Sequence, residues 1–232
     1  MQITYKYKSN IFHFYILFDI ILTMKKYSDL KKYLILVGFT MLSQALVYFV
    51  IKNFLSEYHI ISSIIDTPII KYFVYFYDLW YPFILINTFI IYKSDIKLFY
   101  TLIATMLTGA LLSHITFLVY PSMVVRPIIE VKSFTDFILD FTYKTDTPPV
   151  NCLPSMHCVY CFVTSYYIIK CKNININKRL AIITFSFLIV LSTLFIKQHI
   201  IEDVILSFIY TIISILLVYH NKEKIIALFD KI

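Results

Sequence analysis

Long apolar stretches separated by short polar connections are the feature that most constrains the fold of this chain. Six stretches approach or reach the length of about 20 residues that crosses a bilayer as a helix. They cover residues 33–51, 69–92, 98–120, 155–169, 180–196 and 200–219. Of the 232 residues, 59% are hydrophobic and only 15% are charged, which is too apolar for an ordinary soluble domain. The sequence therefore predicts an all-α, polytopic membrane protein, folded as a bundle of six transmembrane helices.

The lysine and arginine residues of the membrane domain and its flanks are concentrated on one side of this predicted bundle. With the amino terminus inside, the cytoplasmic set is Lys25, Lys26, Lys31, Lys32, Lys93, Lys97, Lys170, Lys172, Lys178, Arg179, Lys222, Lys224 and Lys231. The opposite set is Lys52, Lys71, Arg126, Lys132, Lys144 and Lys197. Because short cytoplasmic loops retain cations, this bias predicts the orientation of a multi-pass cell-membrane protein. It places Arg126, His157 and His199 on the extracytoplasmic side. The spread of the lysines over many loops also argues against a nucleic-acid partner.

Two flanking segments lie outside the predicted membrane domain of residues 33–220. Residues 1–32 are predicted to form a cytoplasmic or interfacial segment, and residues 221–232 a cytoplasmic tail. Within the first segment, residues 11–24 are apolar but too few to span a bilayer comfortably. A signal-like segment, an interfacial segment and a translated leader before a start at Met24 all stay open as interpretations.

The long connection before the fourth stretch contains a helical amphipathic pattern. Phe134, Phe137, Ile138 and Phe141 recur at the spacing of one helix face, and charged residues fall on another face. This pattern predicts a short helix that lies in the membrane interface on the extracytoplasmic side.

Two histidines carry most of the candidate chemistry. Pro154 and Ser155 are typical of a helix start, which places Ser155 and His157 in a first turn whose free N–H groups favour an oxyanion. His199 and Asp203 lie four residues apart, so on a helix the carboxylate can accept the Nδ1–H and leave Nε2 free as a base or nucleophile. For each histidine the alternative is a structural polar residue, although ionisable groups within a membrane span indicate function.

Two cations are candidates for holding the anion. Arg126 offers a planar fork suited to phosphate, and the alternative is an interfacial arginine that bonds lipid headgroups. Lys197 would point away from His199 in a regular helix and reaches the same anion only if the chain is irregular there. Asp78 and His114, also within apolar stretches, either line the site or form interhelical hydrogen bonds.

Four cysteines lie close together in the sequence, at Cys152, Cys158, Cys161 and Cys171. With His157 they raise the possibility of a zinc site. Adjacent residues on one helix point in different directions, however, which disfavours their joint ligation of one ion. We therefore predict small, buried core residues and no metal site.

Taken in order, these segments resemble the signature of the type 2 phosphatidic acid phosphatase superfamily, K-x6-RP, PSGH and SR-x5-H-x3-D. The matching residues are Arg126-Pro127, Pro154-Ser155-Met156-His157, and Ser192 with His199 and Asp203. The segment before His157 and the run Lys197-Gln198-His199 resemble its inositol phosphorylceramide synthase-like branch. The sequence departs from the pattern at Val119, Met156 and Thr193, so two of the family's cations are missing.

The resemblance implies a metal-independent lipid phosphatase or phosphotransferase that needs no cofactor. His199 would attack phosphorus, and Asp203 would orient the His199 imidazole. His157 would protonate the departing alcohol. Arg126 and Ser155 would hold the phosphoryl oxygens, and Lys197 would compensate for one missing cation. The expected substrate is a phospholipid or polyprenyl phosphate, hydrolysed at the extracytoplasmic face. Transfer to an alcohol acceptor and non-catalytic lipid binding stay open as alternatives.

Overall fold

A computed structural model describes residues 26–54 and 57–231, and the interpretations of residues 11–24 lie outside these ranges. The helices are α1 (Lys26–Phe54), α2 (Val74–Asp78), α3 (Trp80–Ser94), α4 (Ile96–Val119), α5 (Phe134–Thr145), α6 (Met156–Lys170), α7 (Ile176–Phe195), α8 (Ile201–His220) and α9 (Lys222–Asp230). Two short strands, β1 (His59–Ile61) and β2 (Ser122–Val124), and a 3-10 turn at Lys71–Phe73 complete the described elements. The predicted helical class is thereby confirmed.

Five helical segments are long and apolar enough to cross a membrane. They are Leu30–Phe54, Lys71–Ser94, Ile96–Val119, Ile176–Phe195 and Ile201–His220. The chain is accordingly a multi-pass membrane protein. The fourth predicted span corresponds to α6, which has 15 residues and so extends only about 22 Å, less than the ~30 Å hydrocarbon core. The prediction of six spans is therefore supported for five of them.

The short helix α6 lies at the centre of the bundle. It packs against α3, α4, α7 and α8. Its buried residues are Cys158, Val159, Tyr160, Cys161, Val163, Thr164, Tyr167 and Ile168. Because most of its length meets protein, its stability comes from interhelical packing and not from a long lipid-facing surface.

The second predicted span is broken near its amino-terminal end and does not form a single continuous helix. The chain passes from the 3-10 turn into α2, breaks at Leu79 and continues as α3. Pro82 lies in the first turn of α3, and a proline ring clashes with the carbonyl four residues earlier. The break therefore falls just before Pro82, at the level of the candidate site.

The two strands organise the connection that leads into α6. β1 and β2 pair in parallel, with His59 opposite Ser122. Ser122 then accepts two hydrogen bonds, from Cys152 N to its carbonyl (3.4 Å) and from Leu153 N to its hydroxyl (3.0 Å). The residues before His157 are thus anchored to the segment that follows α4.

The predicted interfacial helix is present as α5. Phe134, Phe137 and Phe141 are exposed on it, whereas Leu139 is fully buried against the bundle. Its location in a membrane interface stays a prediction.

The predicted tail contains a helix that packs on the bundle. In α9, Phe229 stacks edge-on against Tyr100 at 5.6 Å, and Lys32 donates to Asp230 O at 3.0 Å. Helix α1 is continuous across residues 32 and 33, so no structural break coincides with the predicted domain boundary there.

Gly109 allows α4 to approach α6 and α8 closely. A Cβ atom at this position would lie 2.8 Å from Val159 Cγ1 and 3.4 Å from Ser214 Oγ, whereas one at Gly38 would have no neighbour within 4 Å. We expect Gly109→Ala to lower stability by about 1–3 kcal/mol, since overpacking forces the helices apart. Gly38→Ala should be neutral or stabilising by up to ~1 kcal/mol. Thermal unfolding in detergent measures both, and equal melting temperatures for the two variants would contradict the close packing.

Candidate active site

A cavity of about 820 Å³ opens where α1, α3, α4 and the connections before α6 and α8 meet. Two residues predicted for catalysis, His157 and His199, and one predicted to bind phosphate, Arg126, come from distant parts of the sequence and all line it. Asp78 and His114 line it as well. Asp78 also accepts a hydrogen bond from Thr142 Oγ1 at 3.2 Å, so it both faces the cavity and joins α2 to α5.

The tight turn between α7 and α8 places His199. Thr193 O accepts the backbone N–H groups of both Gln198 and His199, each at 3.0 Å. Lys197 has a φ of 54°, in the left-handed region that non-glycine residues seldom adopt. The turn is therefore irregular at Lys197, and it reverses the chain within a few residues so that His199 faces α6.

His199 is held by two hydrogen bonds to one ring nitrogen. Its Nδ1 lies 3.0 Å from Asp203 Oδ2 and 3.0 Å from the carbonyl oxygen of Cys152. Because both partners accept, Nδ1 carries the proton and Nε2 keeps its lone pair. Asp203 is completely buried and also accepts from Ile200 N at 3.0 Å. The predicted His–Asp contact is therefore present, and the Cys152 carbonyl shares the same N–H.

His157 faces His199 across the cavity, with ring centroids 6.0 Å apart. Its imidazole is clamped between two aromatic rings, Tyr77 at 4.4 Å and Trp80 at 4.5 Å. These rings come from the two sides of the helix break at Leu79. The two imidazoles therefore lie close together in a cavity that Arg126 also lines.

Arg126 is 8% exposed at its side chain and is bound by acceptors. Nη1 donates to the carbonyl oxygens of Asp146 (3.0 Å) and Tyr143 (3.3 Å), and Nη2 donates to the Asp146 carboxylate. Asp146 also accepts from Tyr48 Oη at 2.9 Å. Nε has no hydrogen-bond partner among the described residues. The Asp146 carboxylate thus binds Nη2 and two backbone carbonyls bind Nη1, at positions where a phosphate would otherwise accept hydrogen bonds.

The other two predicted phosphate ligands are placed differently. Ser155 is fully buried, caps α6 by accepting from Cys158 N at 3.4 Å, and is not among the residues that line the cavity. Lys197 likewise lies outside the lining, and its Nζ forms an ion pair with Asp66. The sequence predicted that Lys197 would reach the phosphate only if the turn were irregular. The turn is irregular, but it directs the Lys197 ammonium to Asp66. Phosphate binding by Ser155 and Lys197 stays a prediction.

Several site features were not predicted from the sequence. The Cys152 carbonyl is a backbone group, so no side-chain pattern indicates it. Tyr77 and Trp80 were indistinguishable from the many aromatic residues of a membrane protein. Asp146 lies in a polar loop, and only its position 20 residues after Arg126 in the same connection gave a weak signal.

The four cysteines are buried free thiols, as predicted. Burial raises the pKa of the Cys152 thiol well above its usual range, so the sulfur is uncharged. In the part of the chain that the structure describes, no three His, Cys, Asp or Glu side chains are close enough to share a metal ion. The cysteines therefore act in packing.

Comparison with known proteins gives one family. A search of curated proteins and a search of solved structures each found no match to this chain. The family model of the PAP2 superfamily matches residues 95–227, more than half of the chain, and includes both histidines, Arg126 and Asp203. Members of this superfamily are typically phosphatases. The chain belongs to the PAP2 superfamily.

Proposed function

We propose that this protein is a membrane lipid phosphatase that hydrolyses a phosphomonoester or diphosphate at the extracytoplasmic face. The observation that carries the proposal is that His199, supported at Nδ1, faces His157 in one cavity that Arg126 also lines. Two histidines, a carboxylate and a guanidinium suffice for phosphoryl transfer without a metal ion, because protein groups stabilise the transferred charge.

In the first step, His199 Nε2 attacks phosphorus and the bond from phosphorus to the alcohol oxygen breaks. The phosphohistidine that forms carries positive charge on the ring, which the buried Asp203 carboxylate stabilises through Nδ1–H. His157, whose protonated form the negative charge of the bound phosphate stabilises, donates its proton to the departing oxygen. Arg126 binds the phosphoryl oxygens through Nε and through Nη2, which also donates to the Asp146 carboxylate.

In the second step, neutral His157 accepts a proton from a water molecule that attacks the phosphohistidine. The P–N bond breaks, inorganic phosphate leaves, and His199 regains its lone pair at Nε2. His157 ends the cycle protonated, ready for the next leaving group. The aromatic clamp of Tyr77 and Trp80 keeps the His157 ring in one orientation through both proton transfers.

The walls of the cavity support an amphiphilic substrate. One wall belongs to α1 and includes the apolar residues Met41, Ala45 and Phe49, and the two histidines and Arg126 line the same cavity. Phe49 is 59% exposed at the surface of this candidate membrane span. A lipid is therefore expected to place its phosphate between the histidines and its chains along α1. The PAP2 family and the membrane helices favour a lipid, and the family's inositol phosphorylceramide synthase-like branch stays a prediction.

The arrangement of the two ends of the bundle supports the proposed side of the membrane. The cavity lies at the end where α1 and α4 finish and where α6 and α8 begin. The lysine-rich connections, including the one between α6 and α7, lie at the other end, where Asn173 donates to Ser94 O. Cations retained in the cytoplasm would place the cavity outside.

The size of the cavity favours a second candidate reaction, transfer to an alcohol acceptor. A volume of about 820 Å³ leaves room for more than a phosphoryl group. In that case an alcohol replaces water in the second step, and His157 accepts the alcohol's proton. Incubation of the purified protein with phosphatidate, with and without a candidate alcohol, distinguishes the two: hydrolysis releases free phosphate, whereas transfer gives a new phospholipid.

Replacement of the nucleophile tests the mechanism most directly. We expect His199→Ala to lower the rate of phosphate release from phosphatidate by roughly 10³-fold or more, as is usual when a nucleophile is removed. The assay is run in EDTA with mixed micelles. His220→Ala is the matched control, because His220 lies at the opposite end of α8 and is exposed. Wild-type turnover by His199→Ala would exclude the phosphohistidine mechanism.

The support of His199 by Asp203 predicts a separate kinetic signature. Asp203→Asn keeps the shape of the side chain but removes the charge that stabilises the phosphorylated ring. We expect kcat to fall by roughly 10²-fold or more, with a small change in KM. Glu202→Gln is the control, since Glu202 bonds Ser63 and Ile64 outside the cavity. An unchanged kcat in Asp203→Asn would show that the charge of Asp203 does not stabilise the phosphorylated ring and that the residue has only a structural role.

The guanidinium geometry of Arg126 predicts that lysine cannot replace it. Arg126→Lys keeps one positive charge but loses the fork that serves Asp146 and the phosphate together. We expect KM and the inhibition constant of inorganic phosphate to rise by about tenfold or more, which corresponds to the loss of about one charged hydrogen bond. Arg179→Lys, at the far end of the bundle, should leave both constants unchanged. Equal constants for Arg126→Lys and the wild type would exclude Arg126 from phosphate binding.

A further inference from the structure

Gln198 has a buried donor that the protein itself does not use. The residue is 2% exposed, and its Nε2 has no hydrogen-bond partner among the described residues. Gln198 lines the same cavity as His157, His199 and Arg126. Buried amide groups in proteins are nearly always paired, so an unpaired one in a cavity indicates a ligand that completes it.

The turn between α7 and α8 accounts for the position of this side chain. The left-handed backbone of Lys197 directs the Lys197 ammonium to Asp66, outside the cavity, and the next residue faces inward. The backbone N–H groups of Gln198 and His199 share the acceptor Thr193 O. The Gln198 amide is consequently held on the same short, hydrogen-bonded segment as the nucleophile.

The site also lacks cations that the superfamily signature provides. Val119 stands at the lysine position and is 78% exposed at the end of α4. Thr193 stands at an arginine position, is completely buried, and donates its hydroxyl proton to Val190 O at 2.8 Å. Neither residue can donate to a phosphate in the cavity. These two positions therefore supply no donor to a phosphoryl group beside His199.

We propose that Gln198 is a phosphate-binding residue, whose carboxamide N–H donates to a non-bridging phosphoryl oxygen of the substrate. This inference rests on the proposed function, because the phosphoryl group is the one that His199 attacks. The amide is uncharged and contributes a fixed dipole, which stabilises the negative charge that develops on the phosphoryl oxygen. It supplies part of the role that a cation at position 193 would have.

Two substitutions of Gln198 test the donor directly. Gln198→Leu keeps the approximate volume and removes the N–H, and Gln198→Glu keeps the shape and adds a negative charge that repels phosphate. We expect Gln198→Leu to lower kcat/KM for phosphatidate by roughly 10²-fold, and both variants to raise the inhibition constant of inorganic phosphate by about tenfold. Asn173→Leu and Asn173→Asp are matched controls, because this carboxamide lies in an exposed loop at the other end of the bundle.

Direct binding of inorganic phosphate by calorimetry separates this inference from the proposed function. If the wild type binds phosphate but does not turn over phosphatidate, the hydrolase proposal fails, and weaker phosphate binding by the Gln198 variants still supports the donor. If the wild type is active and a folded Gln198 variant matches its phosphate affinity and its kcat/KM, the inference is overturned. Thermal unfolding identifies the folded variants, and Gln198→Glu alone decides the question if Gln198→Leu does not fold.

Discussion

The two hydrogen bonds on His199 Nδ1 are the interaction on which the site depends. One acceptor, Asp203, begins α8, and the other, the Cys152 carbonyl, belongs to the segment that leads into α6. That segment is in turn fixed to β2 through Ser122. A single imidazole N–H therefore joins the two parts of the chain that carry the histidines proposed for catalysis. The same bonds that fix the tautomer also fix the distance between the predicted nucleophile and the predicted acid.

Electrostatic balance distinguishes this cavity from a simple cationic phosphate pocket. Its lining includes Lys52 and Arg126 as cations and Asp78 and Asp146 as carboxylates. Arg126 is already paired with Asp146, so an incoming phosphate must share the guanidinium with a carboxylate or replace it. The neighbouring Tyr143, whose pKa burial raises to about 12, adds an uncharged ring 5.1 Å from the guanidinium. Hydrogen-bond geometry, more than net charge, is then the basis on which this site would recognise phosphate.

Sequence patterns predicted the parts of this structure that depend on local chemistry. The spacing of His199 and Asp203 predicted their contact, but the expected helix does not include His199, which lies in the turn before α8 (Ile201–His220). The contact forms because the Asp203 carboxylate, in the first turn of α8, reaches back to Ile200 N and to His199 Nδ1. Apolar length likewise predicted five of the candidate spans. The direction of Lys197 was not predictable, since it depends on one left-handed residue and on a distant partner, Asp66. The contact of the Cys152 carbonyl with His199 was not predictable either, because it joins residues that are distant in the sequence and involves a backbone group.

Small and hydroxylated residues connect the membrane interior to the site. Ser207 Oγ lies 2.9 Å from Ser155 O and 2.6 Å from Asp203 O, so one hydroxyl contacts the first residues of both α6 and α8. One and two turns further along α8, Thr211 and Ser214 bond carbonyls of their own helix, which satisfies their hydroxyls where no water is present. These short side chains permit close packing of α8 on α4 at Gly109. The relative position of the two histidines therefore depends on packing well below the site, which is why a methyl group added in the membrane interior should affect the catalytic geometry as well as stability.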